Sequence, residues 1–193
     1  MSQANANLSK LPQAEPIQRR RDSEESKPRT NQLREFVAYM ETYLNGYQYK
    51  IFVIEQEEDG RKFNRGQLLN FGFDLADKEG YNNFIFHDVD LLPSDELKKY
   101  YTTIPTTNPI HIAAIWDRYN SNPKYFGGIV AFSKDIFKRI NGYPNNFWGW
   151  GGEDDELFNR TNKFFKIIKA KEGSIQDLEY LNLQEKLEYI KEN

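Results

Sequence analysis

The hydrophobic and polar positions of this chain become regular at Asn31, after a polar, charge-dense stretch. Residues 1–27 have neither helical nor strand periodicity, and we expect them to form a polar tail before a single domain at 28–193. Apolar residues then recur at the spacing of one helix face, which predicts an amphipathic helix ended by Asn45 and Gly46. The positions expected on its inner face are Leu33, Phe36, Val37, Met40 and Leu44.

Short apolar runs alternate with helical patterns along the rest of the chain. The runs expected to be strands lie at 49–56, 83–90, 111–117, 127–133 and 165–171. Helices are expected after the capping residues Asn64 and Ser133, in the acid-rich segment that begins at Glu153, and at 181–193. The inner face of the helix after Asn64 is expected to carry Leu68, Leu69, Phe71 and Ala76. This alternation predicts an α/β fold with a central, mostly parallel sheet.

Charge and composition narrow the possible functions. The chain has 193 residues, with 26 Lys and Arg against 29 Asp and Glu, and its net charge of −3 argues against a nucleic-acid partner. Its Cys count of 0 excludes disulfides, zinc–thiolate sites and thiol nucleophiles. No apolar run approaches the roughly 20 residues of a membrane span, and the first residues lack the apolar core of a secretory signal. We therefore expect a soluble, cytoplasmic domain without a membrane span.

Aromatic residues make up 15% of the chain, with 14 Phe, 12 Tyr and 3 Trp. Phe serves a hydrophobic core, but this many Tyr and Trp also suit a cleft that stacks on flat or ring-shaped ligands. Phenylalanines on core-facing patterns are Phe36, Phe52, Phe71, Phe84 and Phe86. The pattern assigns neither a core nor a cleft position to Trp116 and Trp148.

The run FIFHDVD places two acids directly after an apolar segment. In a strand, Asp88 and Asp90 would point to the same side, and His87 to the opposite side as a packing residue. Ligands bind at the carboxyl ends of parallel strands, and two converging carboxylates attract a cation. Ligation by oxygen alone suits Mg²⁺ or Mn²⁺. A surface turn before Leu91 is the competing interpretation.

A second acidic run follows a glycine-rich, aromatic loop in the segment NNFWGWGGEDDE. The glycines around Trp150 free the backbone, so that the indole can lie flat over a ligand. Acids in the first turn of a helix complement its dipole, which explains them without any function. That explanation leaves out the two tryptophans in the glycine loop. A sugar ring over Trp150, beside a carboxylate that takes a hydroxyl proton, explains both features.

Three segments of the chain resemble the β-1,4-galactosyltransferase family, glycosyltransferase family 7. FNRGQLLNFGF is similar to the family's donor-binding segment and FHDVDLLP to its metal motif. YFGGIVAFSKDIFKRINGYPNNFWGWGGEDDELFNR is similar to its C-terminal catalytic segment. The resemblance extends over roughly residues 49–160. It implies a Rossmann-like GT-A fold and an inverting transferase that uses a UDP-sugar and Mn²⁺, or Mg²⁺.

The resemblance also implies roles for individual residues. Asp154 matches the catalytic base, and Asp90 matches the metal ligand. The residues expected to contact the donor are Phe63, Arg65, Asp88, Val89, Tyr125 and Trp150. The residues expected to contact a saccharide acceptor are Glu153, Asp155, Phe147 and Gly151. Tyr125 matches the aromatic residue that favours galactose over N-acetylgalactosamine, and Trp150 matches the mobile tryptophan that closes over donor and acceptor.

The chain departs from the family pattern at two places. Family enzymes complete the metal site downstream with a methionine and a histidine, or with a histidine alone. Alignment on the glycine of KEGSIQDLEY puts Asp177 and Tyr180 at those positions, and Asp177 is a plausible ligand whereas a neutral tyrosine is a poor one. Family members also begin with an arginine clamp for the uridine. In this chain, Arg21 or Arg29 could serve as the arginine that clamps the uridine, and Arg21 is preferred.

The sequence therefore predicts a metal-dependent, inverting transferase that moves a hexose, most simply galactose, from a UDP-sugar to a saccharide hydroxyl. An N-acetylgalactosaminyltransferase of the same family is the nearest alternative, and Tyr125 argues against it. A non-catalytic domain that binds a UDP-sugar or carbohydrate, with a decayed metal site, is the alternative from a different class. The identity of the acceptor and the oligomeric state stay open.

Overall fold

The computed structural model describes residues 27–57, 59–119 and 121–179. The α-helices in these ranges are α1 Lys27–Tyr43, α2 Arg65–Lys78, α3 Lys98–Tyr101, α4 Lys134–Arg139 and α5 Glu153–Asn162. The strands are β1 Asn83–His87, β2 Leu91–Pro93, β3 Ile110–His111, β4 Ile129–Ser133, β5 Ile168–Lys169 and β6 Ile175–Asp177. Short 3₁₀ helices cover Asp95–Leu97 and Ile112–Ile115. The helix expected at 181–193 lies outside the described residues.

The central sheet has the strand order β1-β4-β3-β5. Strand β4 pairs antiparallel with both β1 and β3, whereas β3 and β5 are parallel. The expected α/β class is confirmed, but the sheet is mixed rather than mostly parallel. The reason lies between β3 and β4, where a 3₁₀ turn and irregular chain replace the helical crossover that a parallel pair needs. A second, smaller sheet pairs β2 with β6 in antiparallel fashion.

Two hydrophobic cores lie on opposite faces of the central sheet. Side chains alternate along β4, so that Ile129 and Ala131 belong to one core and Val130 and Phe132 to the other. The first core packs α1 and the smaller sheet against one face, and the second packs α2, α4 and α5 against the other. Phe132 is fully buried, and burial of such a side chain contributes about 1.5–3 kcal/mol.

Helix α1 follows its predicted pattern. Phe36, Met40 and Leu44 are buried in the first core, and Val37 packs against it. The helix ends at Tyr43, and the chain turns at Gly46, whose φ of 89° lies in the left-handed region that glycine favours. No helix in the described part of the chain is long and apolar enough to cross a membrane.

Helix α2 begins where its cap was predicted but buries a different aromatic residue. The side-chain oxygen of Asn64 accepts a hydrogen bond from the Gln67 N–H at 3.0 Å. Phe73 and Ala76 are buried, whereas Phe71 is 51% exposed, so its assignment to the core was wrong. Residues two positions apart lie on opposite sides of a helix with about 3.6 residues per turn, and packing against β1 and α4 selects Phe73.

Two predicted strands and one predicted cap differ from the structure. Residues 49–56 pair with no strand in the described residues, because this segment packs through side chains such as Phe52, whose ring lies edge-on to Tyr81 at 5.9 Å. The strand expected at 111–117 ends at His111, where the chain turns into a 3₁₀ helix. Ser133 precedes α4 in an extended conformation, but its side chain makes no capping hydrogen bond.

Candidate active site

Three elements bring one arginine between two carboxylates. Arg65 is the first residue of α2, Asp88 follows β1, and Asp154 lies in the first turn of α5. The Arg65 Nε and Nη2 donate to Asp88 Oδ1 at 2.9 and 2.7 Å. Its Nη1 donates to Asp154 Oδ1 at 2.8 Å and lies 3.5 Å from Glu153 Oε1. We call Arg65, Asp88, Glu153 and Asp154 the Arg65 cluster.

Local hydrogen bonds fix the position of each cluster member. Besides capping α2 ahead of Arg65, Asn64 donates from Nδ2 to the Asn145 carbonyl at 2.9 Å. The Asp88 N–H donates to the Gly128 carbonyl at 2.9 Å, which ties the end of β1 to the chain before β4. Helix α5 begins after Gly152, whose φ is 93° and where a Cβ would lie 2.5 Å from the Phe147 ring. Glycine is therefore required there.

The Asp154 carboxylate packs directly against the backbone of Gly127. A Cβ on Gly127 would lie 2.1 Å from Asp154 Oδ2, so a side chain at this position would displace the carboxylate. The buried His111 lies 3.0 Å from the Gly127 carbonyl through Nε2, which must donate because a carbonyl can only accept. The end of the central sheet at which β4 begins thus forms one wall of the site.

The electrostatics of the cluster favour a proton-accepting role for Asp154. Burial raises the pKa of Asp154 to about 7; Arg65 opposes the rise, and the Glu153 and Asp88 carboxylates add to it. Burial alone would lower the pKa of Arg65, but the surrounding carboxylates, Asp154 foremost, raise it well above its usual range. A carboxyl group with a pKa near neutrality can take up a proton at physiological pH, as a general base must.

Three tyrosines surround the Arg65 cluster. Tyr125 stacks on Tyr119, with ring centroids 4.5 Å apart at an angle of 26°. Burial raises the pKa of Tyr125, so its hydroxyl stays protonated, and a Cβ on Gly128 would lie 2.9 Å from that hydroxyl oxygen. The Arg65 guanidinium carbon lies 5.8 Å from the ring centroid of Tyr143, which is almost fully buried. These rings give the site rigid, aromatic walls.

The aromatic loop before α5 is exposed and joined to the start of α2. The Gly149 N–H donates to the Phe63 carbonyl at 2.7 Å, and Phe63 itself is 41% exposed. Trp150 is 49% exposed, so its indole is accessible to a ligand. Trp148 is exposed beneath the Arg61 guanidinium, whose central carbon lies 5.0 Å from the ring centroid. Trp116, the other tryptophan left unassigned by its pattern, is buried in the first core.

The residues expected at the acceptor occupy different environments. Glu153 is buried, and its Oε2 has no hydrogen-bond partner among the described residues. Asp155 and Gly151 are exposed, and Phe147 is half-buried against Gly152. All four lie within the loop and the first turn of α5, beside Asp154.

The strand of the DVD motif ends earlier than expected. β1 ends at His87, and Val89 and Asp90 lie in a turn, so the assignment of Asp88 and Asp90 to one side of a strand was wrong. The reason is that β4, the partner of β1, begins opposite His87 at Ile129. Val89 packs against the first core.

His87 packs in the interior, as predicted. Its ring lies 4.7 Å from the Phe36 ring, and its Nδ1 donates to the Asp88 carbonyl at 2.7 Å. The Tyr101 hydroxyl therefore donates to Nε2 at 2.7 Å, which sets the neutral tautomer. Burial lowers the pKa of His87 to about 4.

The pairing of β2 with β6 brings the backbone at Asp90 close to the backbone at Asp177. Leu91 is paired with Asp177, and the Leu178 N–H donates to the Asp90 carbonyl at 2.7 Å. Carboxylate oxygens are suitable ligands for Mn²⁺ or Mg²⁺, so the donor chemistry fits such a cation. Asp177, however, already accepts from Arg118 Nε at 2.8 Å through Oδ2, and from the Glu179 N–H at 2.8 Å through Oδ1.

Within ranges 27–57, 59–119 and 121–179, no group of three His, Cys, Asp or Glu side chains is suited to hold a metal. Asp90 and Asp177 would therefore need further ligands from the donor, from solvent or from other parts of the chain. Tyr180 and the proposed clamp residue Arg21 lie outside the described residues.

Sequence reasoning missed several residues of the site. Tyr119, Arg118 and Tyr143 were not singled out, and His111 was assigned only to a strand. Arg118 and Tyr143 act through partners far along the chain, Asp177 and Arg65 respectively. The pair Gly127-Gly128 immediately before an apolar run was a usable signal, because adjacent glycines often mark a close approach of backbone to another group.

Family comparison agrees with this geometry. A family model described as the N-terminal region of glycosyl transferase group 7 matches residues 26–103. A second, described as the N-terminal domain of galactosyltransferase, matches residues 107–177. Together the two models cover most of the chain, including every member of the Arg65 cluster.

Individual relatives are similar over about two thirds of the chain. β-1,4-Galactosyltransferase 1 of Mus musculus is 46% identical over 138 residues, which are 68% of this chain and 34% of that protein. β-1,4-Galactosyltransferase 2 of Cricetulus griseus is 43% identical over 141 residues, which are 69% of this chain and 37% of that protein. The chain thus spans about a third of the length of these curated relatives.

Solved structures share the fold. The catalytic domain of Drosophila β1,4-galactosyltransferase 7 with xylobiose gives a TM-score of 0.70 at 34% identity, covering 78% of this chain and 66% of that chain. A mutant of that enzyme in complex with manganese, UDP-Gal and xylobiose gives a TM-score of 0.70 at 33% identity. The layered fold thus places the chain in the GT-A class. Within that class, the chain belongs to the β-1,4-galactosyltransferase family, glycosyltransferase family 7.

Proposed function

We propose that this chain transfers galactose from UDP-galactose to a saccharide hydroxyl with inversion at the anomeric carbon. The observation that carries the proposal is the Asp154 carboxylate, which is partly buried beside Arg65 and packed on Gly127, with a pKa raised by burial to about 7. The mouse and hamster relatives are β-1,4-galactosyltransferases, and a solved relative was crystallised with UDP-Gal and xylobiose.

In the proposed reaction, Asp154 accepts the proton of the attacking hydroxyl. The hydroxyl oxygen forms a bond to the anomeric carbon, and the bond from that carbon to the β-phosphate oxygen breaks. UDP leaves with the electron pair of the broken bond. Placing the base on the face opposite the leaving group produces inversion, and general-base help of this kind contributes about 10²–10⁴-fold.

Arg65 and the aromatic loop have supporting roles in this proposal. Arg65 orients Asp154 through its 2.8 Å hydrogen bond and holds Asp88 on its other side. Exposed Phe63 and Trp150 supply flat surfaces for the uracil and sugar rings, and closure of Trp150 over the site would exclude water as a competing acceptor. Glu153, Asp155, Phe147 and Gly151 are proposed to line the acceptor side.

A divalent cation, Mn²⁺ or Mg²⁺, is part of the proposal, with Asp90 and Asp177 as the residues that would hold it. When bound, such a cation neutralises charge on the departing diphosphate. The solved relative contains manganese together with UDP-Gal, which supports this choice. A cytoplasmic location and the uridine clamp at Arg21 also stay predictions, to be tested by localisation and by substitution.

A donor screen tests the proposed function. The full chain is incubated with Mn²⁺ and each of UDP-galactose, UDP-glucose, UDP-N-acetylgalactosamine and UDP-N-acetylglucosamine, and UDP release is measured without acceptor and then with simple saccharides. We expect UDP-galactose to give the fastest hydrolysis and the fastest acceptor-stimulated release. Faster turnover of UDP-N-acetylgalactosamine would support the alternative transferase.

A non-catalytic sugar-binding domain is the second candidate. The engagement of Asp177 by Arg118 favours it, because that pair leaves the expected metal site incomplete among the described residues. Calorimetry with UDP, with and without Mn²⁺, separates the two candidates when combined with the screen. UDP binding that is indifferent to Mn²⁺, without turnover of any donor, would identify a binding domain.

A further inference from the structure

Arg118 and Asp177 form a close ion pair at β6, the strand that pairs with the segment directly after Asp90. Arg118 Nε and Nη2 lie 2.8 and 2.7 Å from Asp177 Oδ2. The two side chains are only 13% and 21% exposed, so water screens the pair weakly. The Trp116 ring centroid lies 5.5 Å from the Arg118 guanidinium carbon, a distance at which the ring attracts the cation.

The pair also lies within electrostatic reach of the Arg65 cluster. Burial raises the pKa of Tyr119; Arg118 opposes the rise, and Asp154, Asp177 and Asp88 add to it. Tyr119, which stacks on Tyr125, is therefore within electrostatic reach of both groups of charges. The Arg118–Asp177 pair is consequently part of the same site rather than a remote surface contact.

Arg118 and a divalent cation would compete for the Asp177 carboxylate. A cation bound to this carboxylate would meet the positive guanidinium at the same oxygen, and the other oxygen already accepts the Glu179 N–H. Like charges at such separations repel strongly where water is scarce. The carboxylate of Asp90, in contrast, lies on the neighbouring turn, one residue before the position paired with Asp177.

The geometry points to a competition: Asp177 is the salt-bridge partner of Arg118, and a divalent cation at Asp90 gains Asp177 as a ligand only by displacing Arg118. This inference rests on the proposed function, since it assumes that Asp90 faces the metal of a nucleotide-sugar site. If the competition holds, the affinity for the metal depends on Arg118, although Arg118 is not itself a metal ligand. The chain should therefore bind Mn²⁺ more weakly than its two carboxylates would suggest.

A double-mutant cycle tests the competition. Mn²⁺ binding to the full chain is measured by calorimetry for wild type, Arg118→Gln, Asp177→Asn and the double variant, and folding is checked by circular dichroism. Arg139→Gln removes the same charge from an exposed arginine on α4 and serves as the control. Should Arg118→Gln fail to fold, Arg118→Lys keeps the charge but loses the two-nitrogen contact, and should give a smaller gain in affinity.

The competition predicts that Arg118→Gln tightens Mn²⁺ binding about tenfold or more, the scale of a charge-assisted hydrogen bond. Asp177→Asn should change the wild-type affinity by less than about threefold and should abolish the gain in the double variant. Unchanged or weaker binding by Arg118→Gln, or a tenfold loss in Asp177→Asn alone, would overturn the inference. A parallel UDP titration distinguishes failure of the competition from failure of the proposed function. If no variant binds UDP, the proposed function itself is contradicted.

Discussion

Asp154 is a carboxylate in a place where ionisation is unfavourable. Burial raises the pKa of Asp154 to about 7, while its hydrogen bond to Arg65 keeps the ionised form accessible. At the scale of single residues, this balance separates Asp154 from the other acids of the α5 first turn. Asp155 is exposed, and Glu153 is held against the interior. Acids in one helical turn thus differ in character, and Asp154 has the environment that we propose for the base.

The pH dependence of transfer should reflect Asp154. A base works only when deprotonated, so kcat/KM should rise from the acid side and level off above about pH 7, because this ratio reports the free enzyme. Initial rates between about pH 5 and pH 9 measure the profile. Asp155→Asn should leave the midpoint of the rise in place, and a flat profile in wild type would argue against the role of Asp154.

Substitution of Tyr125 should alter donor choice. Tyr125→Leu removes a ring that is packed between Tyr119 and His111, which enlarges the space beside Asp88 and Asp154. We expect turnover of UDP-N-acetylgalactosamine to rise about tenfold relative to UDP-galactose, in line with the small energies of pocket-size discrimination. Paired donor assays measure this ratio, with Tyr47→Leu, an exposed tyrosine, as the control. An unchanged ratio would contradict a role for Tyr125 in donor specificity.

At the scale of elements, the site depends on where secondary structures begin and end. α2 begins at Arg65, β1 ends just before Asp88, and α5 begins just before Asp154. The two glycines before β4 contribute only backbone, through the close approach of Gly127 to Asp154 and through the Gly128 carbonyl. Rigid ends of elements therefore position every charged member of the cluster, which limits the movement of the base.

Replacement of Gly127 should disable the base without unfolding the chain. The Cβ of Gly127→Ala would lie 2.1 Å from Asp154 Oδ2, so the carboxylate must move away from its hydrogen-bonded position. A displacement of this size costs about 10²-fold in rate. Steady-state assays should show this loss, whereas Gly72→Ala, which meets the Ile54 side chain at 3.3 Å, should stay within about threefold. Full activity in Gly127→Ala would contradict the packing of Asp154.

His87 should make the fold sensitive to acid. Burial lowers its pKa from 6.5 to about 4, so its stabilising effect is complete above pH 6.5 and is lost as the pH falls toward 4. Each pKa unit corresponds to about 1.4 kcal/mol, which gives a loss of up to about 3 kcal/mol. Denaturant unfolding at several pH values measures this loss in the free energy of unfolding. His87→Gln should flatten this dependence, and an identical slope would contradict neutral burial of His87.

Local chemistry was predictable from the sequence, and long-range pairing was not. The cap at Asn64 and the acidic first turn of α5 were predicted correctly, because each depends on neighbours within one helical turn. The segment 49–56 has the composition of a strand, but a strand also needs a partner, which composition does not specify. The Arg118–Asp177 pair joins residues 59 positions apart, and nothing near either residue reveals the other.

At the scale of the whole molecule, two cores on either side of a mixed sheet support one acidic cleft. The first core anchors α1 and the sheet that carries Asp177, and the second anchors α2 and α5 with Arg65 and Asp154. The chain spans about a third of the length of its curated relatives. The family models that match residues 26–103 and 107–177 include the whole Arg65 cluster. The positions proposed for the donor and the base thus lie within the region that the family models match.

The most direct test of this account compares wild type with Asp154→Asn. Transfer of galactose from UDP-galactose to a saccharide acceptor is measured with Mn²⁺ present, and UDP affinity is measured by calorimetry on the same preparations. We predict that Asp154→Asn lowers turnover about 10²–10⁴-fold and leaves UDP affinity within about threefold. Retention of wild-type turnover in Asp154→Asn would contradict the assignment of Asp154 as the base of a galactosyl transfer.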